Sequence, residues 1–364
     1  MSRLSASLPD FPWDTLLTAK AVATAHPDGI VDLSIGTPVD PTPECAQAAL
    51  AAAADSPGYP LTSGTPELRE AIVGYLSERW RAEGLGPEGT LPLIGSKELV
   101  AGLPTLLGLG PDDVVVHPAV AYPTYRVGAT LAGCRAVAGD DPARLGDLRP
   151  ALVWVNSPSN PTGEILGVAA LAERVRWSRE RGAVLVADEC YGEFGWDAEP
   201  ASVLDPEVNQ GSLSGLLAVH SMSKRSNLAG YRAGFVAGDP ELVGELLAVR
   251  KHAGLIVPRP VQAAMVAVLG DQDHVTVQRQ RYLARRALLR PALQAAGFTI
   301  EHSEGGLYLW ATRGEHGRRS VDFLAGLGIL VAPGDFYGDS CTEYVRLALT
   351  ATDEQIEAVA RRLG

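Results

Sequence analysis

The chain of 364 residues is poor in cysteine, with only Cys45, Cys134, Cys190 and Cys341. No two of them are near neighbours. That excludes a CxxC redox pair and a zinc knuckle, predicts isolated thiols in a reducing compartment, and leaves no metal-binding motif in the spacing. Basic charge is also scarce: 31 Lys and Arg against 43 Asp and Glu leave a net charge of −12. Such a balance repels phosphate backbones and anionic lipid, so neither nucleic acid nor membrane is an expected partner. No run reaches the ~18 apolar residues of a membrane span. Residues 1–14 carry one basic residue and no apolar stretch of signal-peptide kind, so a cytoplasmic protein is expected. Disorder is excluded by an apolar share of 46%, enough to bury the core of one large α/β domain or of two domains.

What is present is punctuation by 39 glycines and 26 prolines, without an internal repeat. The first 45 residues look irregular apart from an apolar run over 30–35. Residues 45–54, 65–81 and 97–107 read as helices, the second with Leu68, Ile72, Val73 and Leu76 on one face. Short apolar runs at 114–117, 151–156, 183–187 and 216–220 then alternate with helical stretches at 123–131 and 167–181. That is the pattern of parallel strands buried on both faces. In such sheets the functional residues sit beyond the carboxyl ends of the strands. After about residue 270 a long charged helix (273–296) and strands at 308–311 and 344–349 suggest a change of architecture. The expected division is a large α/β domain over 43–270 and a smaller α+β domain from 1–42 and 271–364.

Each apolar run ends in a distinctive polar cluster. Leu93-Ile94 is followed by Gly95-Ser96-Lys97 at the start of a helix, where free N–H groups and the helix dipole suit a phosphate. Trp154-Val155 leads into Asn156-Ser157-Pro158-Ser159-Asn160-Pro161-Thr162-Gly163. The run ending at Ala187 is followed by Asp188-Glu189-Cys190-Tyr191. Val219-His220 leads into Ser221-Met222-Ser223-Lys224-Arg225-Ser226-Asn227, then Gly230-Tyr231-Arg232-Ala233-Gly234. Each taken singly is compatible with ordinary strand-end capping.

In this order the clusters resemble the fold-type I aminotransferases of classes I and II, which depend on pyridoxal 5′-phosphate (PLP). The resemblance covers almost the whole chain, from Gly36-Thr37-Pro38 through Tyr59 and Leu68-Arg69 to Tyr344-Val345-Arg346. It implies a mostly parallel seven-stranded sheet between helices, plus a smaller α+β domain. It also implies that Lys224 holds the cofactor aldehyde and shuttles the substrate Cα proton. For that role the amine must be kept deprotonable by burial and nearby cations. By the same resemblance Asp188 faces the ring nitrogen, and Tyr191 and Asn160 donate to the ring hydroxyl oxygen. Tyr122 stacks on the ring, while Ser96, Lys97, Ser221, Ser223 and Arg232 hold the phosphate. Gly36, Asn160 and Arg346 are the implied substrate contacts, with Arg346 on the α-carboxylate. Tyr59 matches a tyrosine that reaches the phosphate of a neighbouring subunit, which implies a homodimer with its sites at the interface. Lys97, Arg225 and Arg259 could face the ligand or be surface charges.

These motifs specify cofactor and reaction class, with small amino acids and 2-oxo acids as partners, but not the substrate. The string from Ser223 to Gly230 and the opening Phe11-Pro12-Trp13-Asp14-Thr15-Leu16 are similar to the actinobacterial branch of the N-succinyldiaminopimelate aminotransferases. Met222, Tyr231 and the segment 252–260 depart from the proteobacterial branch. Relatives that act on aspartate, alanine, aromatic amino acids or kynurenine, and carbon–sulfur β-lyases, remain alternatives. A transcriptional regulator on the same fold would need a DNA-binding segment of roughly a hundred residues. The 35 residues before Gly36 and the negative charge speak against it.

Overall fold

The computed structural model describes Ala6 and residues 8–364; part of the segment 1–14, read above for a signal peptide, lies outside the described residues. Thirteen strands form three sheets among these residues. In chain order they are β1 (Val31–Asp32), β2 (Thr90–Ile94), β3 (Val114–His117), β4 (Arg135–Ala138), β5 (Leu152–Asn156), β6 (Val184–Asp188) and β7 (Leu216–Ser221). There follow β8 (Ala233–Gly238), β9 (Thr299–Glu301), β10 (Tyr308–Thr312), β11 (Ile329–Leu330), β12 (Ala332–Pro333) and β13 (Tyr344–Ala348).

The large sheet has seven strands in the order β2-β8-β7-β6-β5-β3-β4. Strands β7, β6, β5, β3 and β4 run parallel, while β8 lies antiparallel to both β7 and β2. Every residue of β5, β7 and β8 is buried. Alternation explains why both faces are apolar. Val155, Ala187 and Ala218 pack on one side with Leu68, Ile72, Val175 and Ala264. Trp154, Val186 and Val219 pack on the other with Leu99, Leu103, Tyr125 and Leu246. Each fully buried Leu or Val of this kind stabilises by about 1.5–3 kcal/mol.

The helices begin and end where their caps dictate. Thr65 accepts from the Leu68 N–H ahead of Pro66–Trp80, and Asp239 caps Pro240–Ala253. Thr352 and Gln355 form a capping box at the start of Asp353–Leu363. The long helix spans Asp273–Ala295, close to the expected bounds. Strands β9, β10, β13 and β12 form an antiparallel sheet, and β1 pairs parallel with β11.

One expectation needs correction, and two strands carry no readable signal in the sequence. The first 45 residues contain the helix Leu17–Thr24, which packs on Gly317–Gly326. Its alternating Ala and Thr carry little apolar contrast, so periodicity does not reveal it. Strand β4 is an exposed edge of four residues, too short and too polar in its surroundings to register. Strand β8, glycine-bearing and antiparallel, reads in the sequence only as the loop around Arg232.

Candidate active site

A cavity of about 860 Å³ opens where β5, β6 and β7 end. The pairings Asn156↔Asp188 and Asp188↔Val219 bring the strand-end clusters side by side. Ser221 closes β7, and its hydroxyl accepts from the Ser223 N–H at 3.2 Å, starting the short helix Met222–Arg225 that carries Lys224. Gly36, Ser96, Lys97, Tyr122, Asn160, Asp188, Tyr191, Ser221, Ser223, Lys224, Arg232 and Arg346 all line this cavity. Twelve residues expected at the site therefore converge.

At one end the helix Ser96–Leu106 begins without any side-chain cap. Its first N–H groups have no intrahelical acceptor, and Ser96 and Lys97 line the cavity with Ser221, Ser223 and Arg232. Gly95 precedes it at φ +74°, and a Cβ there would press on the Arg232 guanidinium. The left-handed φ favours glycine there, and Arg232 crosses over it. Arg232 itself takes a left-handed φ of 55° and donates to the Ala229 carbonyl at 2.8 Å.

At the other end Asp188 is buried. Its Oδ2 accepts from the Tyr125 hydroxyl at 2.8 Å and its Oδ1 from the Cys190 N–H at 3.2 Å. Burial pushes its carboxyl above the ordinary range despite those two donors. Tyr122 also borders the cavity, edge-on to Tyr125, with burial pushing its hydroxyl up to about 12.

Between the two ends, Lys224 donates from Nζ to the Gly36 carbonyl. Burial lowers its pKa, and the nearby charges of Arg346 and Arg232 act in the same direction. Tyr191 and Tyr308 bring their hydroxyls within 3.1 Å. Burial holds the Tyr191 proton on. For Tyr308 the charges of Arg346 and Lys224 outweigh burial and bring the pKa below the ordinary value.

Arg346, in β13, is buried and spans the two architectures. It donates to Asn160 Oδ1 at 2.8 Å and to the Ser34 carbonyl at 2.6 Å, between the rings of Tyr308 and Tyr337. Among the described residues no carboxylate pairs with it, and its Nε has no partner. A buried guanidinium without an anion is costly. An incoming carboxylate would remove that cost.

Tyr59 does not join its own chain's cavity and is 99% exposed. Arg225 is neither a ligand contact nor a surface charge. It is buried, donating to Glu193 Oε1 at 3.2 Å and the Val268 carbonyl at 2.7 Å over the Tyr75 ring. Arg259 is an exposed residue at the start of Arg259–Leu269. Sequence reasoning missed Tyr125, Tyr308 and the segment Leu8 to Trp13, which covers one wall. Tyr125 stands in the Tyr-Pro-Thr-Tyr string that begins at Tyr122, but nothing local marks Tyr308 as facing Lys224.

A half-buried lysine of lowered pKa, a buried carboxylate and an uncapped helix start with serines and arginine fit PLP and point to a lysine-dependent PLP enzyme. The comparisons with known proteins agree. The family model "Aminotransferase class I and II" matches residues 28–363. A Mycobacterium tuberculosis protein named "Probable aminotransferase" is 61% identical over 99% of this chain and 86% of its own length. The 4-dedimethylamino-4-oxo-anhydrotetracycline transaminase OxyQ of Streptomyces rimosus is 59% identical over 98% of this chain and 99% of its own. An LL-diaminopimelate aminotransferase of Dehalococcoides mccartyi is 31% identical over 100% and 98%. A solved structure described as a probable N-succinyldiaminopimelate aminotransferase of Thermus thermophilus superposes with a TM-score of 0.85 at 29% identity, covering 97% of this chain and 99% of that one. The chain belongs to the class I and II aminotransferases, a PLP-dependent family with the fold-type I architecture. No helix among the described residues is long and apolar enough to cross a membrane.

Proposed function

We propose that the chain transfers an amino group between glutamate and a large, polyanionic 2-oxo acid, with N-succinyl-LL-2,6-diaminopimelate as the amino-acid partner. Bound PLP supplies an aldehyde that reacts with amines and a protonated ring that withdraws electrons from the substrate Cα. The N–H groups of Ser96 and Lys97, the hydroxyls of Ser221 and Ser223 and the Arg232 guanidinium would hold its phosphate, Asp188 its ring nitrogen, and Asn160 and Tyr191 its ring hydroxyl. Lys224 Nζ, kept deprotonable by burial and cations, takes and returns the Cα proton. The single observation that carries a carboxylate substrate is the buried, unpaired guanidinium of Arg346.

A second anion has one further cation available at the cavity. The Lys97 ammonium is exposed at its mouth, 5.9 Å from the ring centres of both Phe11 and Tyr122. It suits the distal carboxylate of a dicarboxylic substrate, and the cavity volume suits a long one. The 59% identity to the tetracycline transaminase favours a second reading, a bulky uncharged ketone resting on Phe11, Val100 and Val127. We further propose a division into residues 43–270 and the two chain ends, and a homodimer in which Tyr59 reaches the neighbouring subunit's site.

The test is a panel of amino donors and acceptors with the PLP-loaded protein, including N-succinyl-LL-diaminopimelate with 2-oxoglutarate. Efficient turnover that falls at least tenfold in Lys97→Ala supports the polyanionic reading. Turnover confined to apolar ketones overturns it. Pyruvate and ammonia from a β-substituted amino acid would point to lyase chemistry instead.

A further inference from the structure

Outside the cavity, three residues remote in sequence converge. Cys45 lies near the start of the helix Glu44–Ala52, Asp271 just before the long helix Asp273–Ala295, and His274 in that helix's first turn. One sulfur, one carboxylate oxygen and one imidazole nitrogen lie within 4.8 Å of one another, each side chain half-buried. No other group of this kind occurs among the described residues.

The other polar atoms of these groups are already committed. Asp271 Oδ1 accepts from the N–H groups of Asp273 and His274 at 2.8 and 3.3 Å, which ties it to the helix start. His274 Nε2 lies 2.9 Å from the Ser226 hydroxyl, which in turn accepts from Arg225 Nη1 at 3.1 Å. That leaves Asp271 Oδ2 and His274 Nδ1 beside the Cys45 thiol, which shares a hydrogen bond with Asp271. His274 Nδ1 is buried there without a hydrogen-bond partner, 3.5 Å from Asp271 Oδ2. Two ligand atoms of a tetrahedral zinc ion are separated by about 3.4 Å, given bonds of ~2.1 Å.

We propose that Cys45 Sγ, Asp271 Oδ2 and His274 Nδ1 bind a zinc ion, with water in the fourth position. A mixed sulfur, nitrogen and oxygen set in tetrahedral array selects Zn²⁺ over the hard cations that prefer oxygen alone. Binding breaks the S–H bond of Cys45, and its proton leaves to solvent as the thiolate–zinc bond forms. Thiolate and carboxylate together balance the two positive charges, which offsets the unfavourable positive end of the helix. Ser226 is the outer partner that orients the imidazole, as ligating histidines commonly require. Through it the ion joins Glu44–Ala52 and the long helix to the loop that follows Lys224. The site does not depend on which substrate the enzyme takes.

The test uses PLP-loaded protein stripped of metal by a chelator and titrated with Co²⁺, then Zn²⁺. One equivalent per chain is expected, with a thiolate-to-cobalt charge-transfer band that Zn²⁺ abolishes. Cys45→Ala and His274→Ala should each weaken binding about a hundredfold, and Ser226→Ala about tenfold. Cys134→Ala should leave it unchanged. Absence of the charge-transfer band, or its persistence in Cys45→Ala, overturns the proposal. Should His274→Ala fail to fold, Asp271→Asn keeps the oxygen that caps the helix and must still lose the metal; unchanged affinity in that variant also overturns it.

Discussion

The Arg346 guanidinium donates a 2.8 Å hydrogen bond to Asn160 Oδ1, joining the small antiparallel sheet to the loop that ends β5. Both side chains are buried and both line the cavity. The same loop is braced from below, because Asn156 Oδ1 accepts from the Asn160 N–H at 2.8 Å while Asn156 Nδ2 donates to the Asp188 carbonyl at 2.9 Å. A chain of hydrogen bonds through two asparagines therefore connects Arg346 to the backbone of the buried aspartate.

Replacing Arg346 by alanine should raise the KM for amino- and 2-oxo-acid substrates by about a hundredfold. That corresponds to about 3 kcal/mol, typical of losing one partner of a buried charge pair. PLP affinity should change by less than threefold. Steady-state kinetics with a parallel PLP titration would check this; equal losses in both would show that the carboxylate binds elsewhere.

Lys224→Ala should remove turnover and the visible absorbance band of lysine-bound PLP, while the fold, read by circular dichroism, stays intact. The loop around Lys224 is held by Ser221 and Arg225 rather than by the lysine itself. A variant that keeps the band would disprove the role of this residue.

Asp188→Asn should lower kcat by about a thousandfold, the scale of losing one preorganised electrostatic group. Stability should move the other way in cofactor-free protein. The folded-state pKa of Asp188 is raised, so the folded chain holds that proton more tightly than the unfolded one. Its contribution is present below the ordinary value of 3.8 and is lost as pH rises through the folded pKa. Melting temperatures from pH 4 to 8 should show the variant gaining on the parent as pH rises. A constant difference would mean that Asp188 titrates normally.

Gly95→Ala should impair cofactor binding selectively. A Cβ would press on Arg232, and the φ of +74° costs an alanine about 1–2 kcal/mol. Retention of PLP on dialysis should fall at least tenfold, with the KM for amino acids, measured at saturating PLP, little altered. Unchanged retention would separate Arg232 from the phosphate site.

Much of this was legible from local order. The alternation of apolar runs and helices reveals a parallel sheet because each strand must be apolar on both faces, as Val155 and Trp154 show by packing into opposite layers. The polar clusters at Asn160, Asp188 and Lys224 stand at strand ends because a polar run cannot continue into that core. Periodicity is silent where burial is partial or the segment short, as in Leu17–Thr24 and β4.

The amino-acid sequence by itself determined the family, the polar clusters and the strand ends on which they sit, since these follow from contiguous patterns of a few residues. Only the tertiary structure decided which distant groups meet. It set Arg346 against Asn160, Tyr308 against Tyr191, and buried Arg225 under the site instead of in it. It also turned four cysteines of unpromising spacing into one, Cys45, that faces Asp271 and His274. Such contacts are products of chain packing between segments remote in sequence, where neither periodicity nor spacing carries information about which side chain lies opposite.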